Sequence, residues 1–186
     1  MSRIGTWTPT TVEQRLDRME SLAEIRQLPY RYALAVDSRD MDGLVDLFVP
    51  DVRVGADEVG RDALKRWFTE SLRKFRATVH FVGNHTVDFA DADHAHGIVY
   101  CHDELERPEI GEWHIGKLQY RDTYVRVDGE WCFQRRKFYR WYLVDALARP
   151  ARGADANGES GLQTHLLPDG FETWAPFWAT VDQTGG

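Results

Sequence analysis

The 186-residue chain is predicted to fold as an α+β domain, with N-terminal helices lying on one side of a curved, mainly antiparallel sheet. Three observations lead there. Between Val12 and Phe75 the apolar residues recur at helical spacing. From Ala77 the pattern changes to strand-like runs, predicted over 77–90, 94–106, 114–127 and 130–143. Asp128-Gly129, inside "VDGEW", is a tight hairpin signal between the last two runs.

Each element has its own signature. Leu16, Met19, Leu22, Ile25 and Leu28 form an apolar series with charges between them. Pro29 is expected to kink or restart that helix, after which "PYRYALAV" continues it. "SRDMDGLVDLFVPD" reads as a short second helix, capped by Ser38 or Asp40 and stopped by Pro50. "VRVG" is a short β segment. "GRDALKRWFTESLRKF" is a third helix with Leu64, Trp67, Phe68 and Leu72 on one side. The domain is taken as residues 1–148. From 149 to 186 the chain becomes a polar loop, "RPARGADANGESG", followed by the aromatic segment "FETWAPFWATV". A segment this apolar is expected to pack on the domain, on a neighbouring subunit or over a cavity mouth.

Bulk properties narrow the function. Apolar residues make up 42% and aromatics 12%, enough for one sizeable core. A net charge of −7 disfavours nucleic acid and anionic membranes as partners. No run approaches the ~18 apolar residues of a membrane-spanning helix. "MSRIGTWTPTTVEQRL" has no apolar leader region. Cys101 and Cys132 stand far apart in strand-like contexts, suiting neither a disulfide framework nor a zinc site. A cytoplasmic protein is the expectation. There is no Gly-rich phosphate loop, Ser nucleophile elbow or CxxC, so nucleotide binding and covalent catalysis are weak readings.

Strand parity sorts the candidate residues. In 94–106 the odd positions Ala95, Gly97, Val99, Cys101, Asp103 and Leu105 are expected inside, and the even ones outside. Asp103 is then a carboxylate on an apolar face, which calls for an ion-pair partner or a polar cavity. His94, His96 and His102 share the outer face, where a solvated strand accounts for them better than a metal. His80 in "ATVHFVGNH" shares the inner face with Thr78 and Val82. It is satisfied there either by a backbone carbonyl or by an acid. The candidate acid is Asp37, near a helix C-terminus where the dipole disfavours an anion. An acid holding an imidazole in one tautomer is the logic of a catalytic pair. Tyr32 precedes Asp37 by five residues, about 140° round an ideal helix, so spacing alone does not join them. Arg140, flanked by aromatics in "KFYRWY", pairs with Asp103, binds an anionic substrate group or caps the sheet edge. His85, across Gly83 from His80, reads as structural or as supporting the site.

The segments "EIRQLPYRYALAVDSRDMDGLVDLFVPDV", "TVHFVGNHTVDFADADHAHG" and "YRDTYVRVDGEWCFQRRKFYRWY" make the chain resemble the SnoaL-like branch of the nuclear transport factor 2-like superfamily, over roughly residues 12–145. That resemblance implies a cone-like α+β barrel whose sheet wraps around the helices and encloses an apolar cavity. Its enzymes include scytalone dehydratase, hexachlorocyclohexane dehydrochlorinase and bile-acid 7α-dehydratase, in which an Asp–His pair abstracts a proton during an elimination. The site pattern is similar to that of the bile-acid enzyme at Tyr32 and Asp37, at His80 in "HFVG", at Asp103 and at Arg140. The resemblance implies a cofactor-independent lyase, a dehydratase acting on a hydrophobic hydroxylated ring substrate of steroid or polyketide type. His80, Asp37 and Tyr32 would be catalytic, and Asp103 and Arg140 would line the substrate cavity. No metal is implied, and a homo-oligomer, trimer or dimer, is. The alternatives are an isomerase, dehydrohalogenase or epoxide hydrolase in the same cavity, or a non-catalytic binding module resembling an oxygenase small subunit.

Overall fold

In the computed structural model, which describes residues 7–107 and 109–146, helix α1 (Val12–Ser38) runs through Pro29 without a break. Its start is fixed by Thr11, whose Oγ1 accepts from the Gln14 N–H at 3.2 Å, while the Gln14 side chain accepts from the Thr10 N–H at 2.8 Å. Ser21, Ile25, Leu28, Tyr32 and Val36 form the buried stripe. Leu16 and Met19, expected on the same face, are exposed. The reason is local: the first turns of α1 meet a polar clamp instead of core. Arg126 forks Asp17 at 2.7 and 2.9 Å and also donates to Ser21 Oγ and the Ala92 carbonyl.

α1 ends in a left-handed residue, Arg39, at φ 62°. A non-glycine residue adopts this conformation at a cost of about 1 kcal/mol. Here it lets the Arg39 guanidinium donate to the Val36 carbonyl, to Thr78 Oγ1 and to the Phe75 carbonyl. Helix α2 (Met41–Asp46) follows at once, capped by Asp40, whose Oδ1 accepts from the Gly43 N–H at 2.9 Å. It stops well short of Pro50. The Phe133 N–H donates to the Leu47 carbonyl and the Val49 N–H to the Phe133 carbonyl, so the backbone from Leu47 to Val49 belongs to a sheet contact.

Strands β1 (Arg53–Val54) and β2 (Glu58–Val59) form a small hairpin leading into α3 (Arg61–Leu72). Leu64 and Phe68 face the core, but Trp67, expected beside them, is half exposed. The chain then forms an antiparallel meander of β3 (Ala77–Phe89), β4 (His94–Arg107), β5 (Glu112–Val127) and β6 (Glu130–Asp145), ordered as in the sequence. With the helices laid on its concave face, this is the cone-like α+β fold expected. The core lies between helices and sheet, built from Ile25, Val36, Leu44, Phe68, Val99 and Phe133 among others.

Burial along β4 alternates as parity requires, with the odd positions inside. On β3, Val79 and Phe81 point outward and Thr78, His80 and Val82 inward. A bulge between Val82 and His85 then shifts the phase and returns His85 to the inner side. The aromatic segment and its loop, 149–186, lie outside the described residues.

One glycine controls contacts across the sheet. Gly116 on β5 sits opposite Asp103 on β4, and a Cβ there would overlap both the Asp103 carboxylate and the Arg140 guanidinium. Gly116→Ala is therefore expected to cost about 1–3 kcal/mol through overpacking, measurable as a lowered urea midpoint with unchanged slope. An unchanged midpoint would show that the two side chains can move aside.

Candidate active site

The C-terminal turn of α1 and strand β3 meet through one carboxylate. Asp37 Oδ1 lies 2.7 Å from His80 Nδ1 and accepts from the Thr78 hydroxyl at 2.8 Å. Its Oδ2 accepts from the His80 backbone N–H at 2.7 Å. Arg39 Nη1 donates to Thr78 Oγ1 at 2.8 Å, which commits that hydroxyl to giving its own proton to Asp37. An ionised carboxylate only accepts, so the imidazole carries its hydrogen on Nδ1 and leaves Nε2 as the basic atom. Burial pushes the Asp37 carboxyl up, but the bonds and charge of His80, with help from Thr78, bring it below the ordinary aspartate value. The imidazole is 9% exposed.

Tyr32 occupies a different part of the interior. Its ring packs edge-on against Phe48, Phe68, Tyr120 and Phe133 rather than against His80, with centroids 5.7–6.4 Å apart. Burial pushes its hydroxyl up to about 12, so it remains a donor at neutral pH. The helix thus sends Tyr32 and Asp37 to separate regions, as their 140° offset allows.

Asp103 and Arg140 are engaged with each other. The guanidinium donates to both carboxylate oxygens, at 3.0 and 2.9 Å, in a fork buried on both sides. Asp103 is also the register partner of His80 across β3 and β4, so this pair borders the Asp37–His80 contact.

A second polar cluster was not singled out from the sequence. Asp122 on β5 and Arg136 on β6 are register partners, with Arg136 Nε 3.4 Å from Asp122 Oδ1. Asp122 Oδ2 accepts from the Tyr124 hydroxyl at 2.9 Å, and the Tyr124 hydroxyl oxygen lies 3.0 Å from His85 Nε2. The Arg136 guanidinium lies over the rings of Tyr120, Tyr32 and Phe133, at 3.8, 4.3 and 4.6 Å. Inward parity at Asp122 was the available signal. Arg136 lay hidden in the basic run "RRK", which reads as a solvated face.

A cleft of about 1320 Å³ opens between α3 and the sheet, lined by Tyr32, Phe48, Phe68, Tyr120 and Arg136, with Trp67 at its rim. It is roomy enough for a polycyclic molecule. His80 and Asp37 do not line it. Burial, with the nearby Asp103 carboxylate adding to it, pushes the thiol of Cys101 on β4 up. Cys101 and Cys132 are both free thiols. Among the described residues no three His, Cys, Asp or Glu side chains gather as a metal would need, and His94 is held by Asp91 at 2.9 Å. No described helix is long and apolar enough to cross a membrane.

A meander sheet curved over three helices, with a buried polar interior, defines the nuclear transport factor 2-like class. Within it, the chain matches the SnoaL-like domain over residues 17–137 and belongs to that family. An uncharacterised Mycobacterium tuberculosis protein, Rv2910c, is 30% identical over 125 residues, covering 61% of this chain and 80% of its own. A protein of Novosphingobium aromaticivorans described as a candidate scytalone dehydratase superposes with TM-score 0.61 at 26% identity, over 75% of this chain and 94% of that one. The hexachlorocyclohexane dehydrochlorinase LinA-type3 of Novosphingobium barchaimii superposes with TM-score 0.64 at 23% identity, over 73% and 96%. At that identity it shows the fold alone.

The two ionisable ends of the newly found cluster oppose each other in acid. Burial raises Asp122 from 3.8 to about 6, against Arg136 and Tyr124. Burial, then Arg136 and Arg26, lowers His85 from 6.5 to about 4. Between those values of Asp122 the folded chain keeps a proton that the unfolded chain has released, so that contribution to stability falls as pH rises. For His85 the unfolded chain takes up a proton first, so its contribution falls as pH drops. Asp122→Asn should therefore leave stability falling as pH drops from about 6.5 to about 4, by up to ~1.4 kcal/mol per pH unit. His85→Gln should leave the opposite slope between about 4 and 6. Urea denaturation across this range checks both; identical slopes in all three proteins would refute the opposition.

Proposed function

We propose that this protein is a cofactor-independent lyase that eliminates water from a hydrophobic, hydroxylated ring substrate of steroid or polyketide type. The observation carrying this reading is the Asp37 carboxylate on His80 Nδ1, which leaves Nε2 free to take a proton. His80 would remove a proton from carbon next to a carbonyl or enone, where the negative charge can delocalise. Asp37 would keep the tautomer and stabilise the imidazolium as it forms. Tyr32, still protonated but in a separate region from His80, would donate to an enone oxygen that gains charge through conjugation, at a distance from the abstracted proton. The proton then leaves with the departing hydroxide as water, so the reaction needs no external oxidant or reductant. The fixed Asp103–Arg140 pair would form a polar wall beside the base. The aromatic cleft, which His80 and Asp37 do not line, would hold the part of the substrate remote from the reacting carbon and supply most of the binding through buried area.

A small-molecule-converting enzyme is supported as the class by the SnoaL-like family match and by the similar structure described as a candidate scytalone dehydratase. The same base would serve dehydrohalogenation, in which only the leaving group differs.

A panel of hydroxylated and chlorinated ring ketones, followed by mass spectrometry, tests the reading through loss of water or of hydrogen chloride. Once a substrate is found, His80→Ala should lower kcat/KM by at least about 10²-fold, with the circular dichroism of the fold retained. Asp37→Asn should lower it comparably, because the amide no longer fixes the tautomer. Folded variants with full turnover would rule the mechanism out.

A further inference from the structure

Strand β6 carries two buried arginines four residues apart, and they are used differently. Arg140 has both terminal nitrogens on Asp103, in a fork with near-ideal distances. The side chain of Arg136 is 4% exposed, yet its Nε, Nη1 and Nη2 have no hydrogen-bond partner among the described residues. Asp122 stands 3.4 Å from Nε without hydrogen-bond geometry, and its other oxygen is occupied by Tyr124. A buried guanidinium normally meets its donors with acceptors, because each unmet one costs about 1–3 kcal/mol. Aromatic faces compensate the charge of Arg136 but cannot accept at its planar edge. Arg136 is among the residues lining the cleft, but these three nitrogens have almost no accessible surface of their own, so a ligand reaches that edge as neighbouring side chains shift.

We propose that Arg136 is the seat for a carboxylate on the substrate, making the ligand class a ring compound bearing an acid group. The planar end formed by Nη1 and Nη2 matches a carboxylate oxygen for oxygen, which a lone carbonyl or hydroxyl does not. Tyr32, Tyr120 and Phe133, packed on the guanidinium, would hold the ring attached to that acid. Asp122 supplies the selectivity: its weak, poorly aligned pairing keeps the cation in place without filling its terminal nitrogens. The inference rests on reading the cleft as the substrate site. It does not rest on the chemistry of Asp37 and His80.

The test is calorimetric binding to the full-length protein of 2-naphthoate and its neutral isostere 2-naphthamide. The carboxylate should bind the unaltered protein at least tenfold tighter than the amide. Arg136→Met should abolish that preference, and Asp122→Asn should strengthen carboxylate binding several-fold by removing the competing charge. His80→Ala should keep the preference, so loss of turnover without loss of selective binding separates this seat from the proposed elimination. Equal affinity for acid and amide in the unaltered protein would overturn the proposal, including the case where an acidic residue from 147–186 already holds Arg136. A preference that survives Arg136→Met would overturn it as well.

Discussion

The hold of Asp37 on strand β3 is the contact from which the rest of the interior takes its geometry. A carboxylate at the C-terminal end of a 27-residue helix sits against the negative end of the helix dipole, and here it is also partly buried. Neither circumstance favours an anion. It persists because β3 brings three donors to it: the Thr78 hydroxyl, the His80 amide and the His80 ring. Arg39 completes the arrangement by leaving the helix in a left-handed conformation and donating to both sides of the junction. Helix and sheet are thereby fixed in one register. Once Asp37 is pinned, helical geometry sends Tyr32 about 140° away, toward α3 and β6. The interior therefore has two poles, an imidazole base at one and an aromatic cage around Arg136 at the other.

Most of this framework was legible in the sequence because it depends on periodicity. The four strand runs, the inward set of β4 and the separation of His80 from Val79 and Phe81 follow from alternation, and each strand bound came within two residues. The helical errors share a physical cause. Leu16 and Met19 have the right spacing, but spacing does not show that Arg126, more than a hundred residues away, covers that part of α1 with charge. The second helix was read too long because residues 47–49 are taken up by a backbone contact with Phe133. The polar interior was half legible. Asp103 stood out as an acid on an apolar face, whereas Asp122 shares its strand with Arg121 and Thr123 and Arg136 follows another arginine. Register against a strand bulged twice, β6, is what pairs them, and its bulges have no compositional signature as plain as Gly83.

The buried charges are best understood by how tightly each is matched. Asp37 with His80, Asp103 with Arg140 and Asp122 with Arg136 set a carboxylate beside a cation or an imidazole, which limits the desolvation penalty that isolated charges would carry. They are graded in directness. Asp103 and Arg140 are fully satisfied at both oxygens, and the missing Cβ of Gly116 is what permits that reach across β5. Such a pair is rigid, and only Arg140 Nε is left without a partner among the described residues. Asp37 gives both oxygens to β3, and its engagement defines which imidazole nitrogen is free. Asp122 and Arg136 are close enough to cancel charge at a distance but not to share hydrogens. A protein interior does not ordinarily tolerate unmet donors on a guanidinium, and a core of this size could have closed on Arg136 with one more acceptor. The looseness lies at the one pair that borders the cleft, and the tightly bonded pair lies away from it. Rigid charge thus sets the shape of the interior, and the uncommitted donors lie sealed beneath the lining of the cleft.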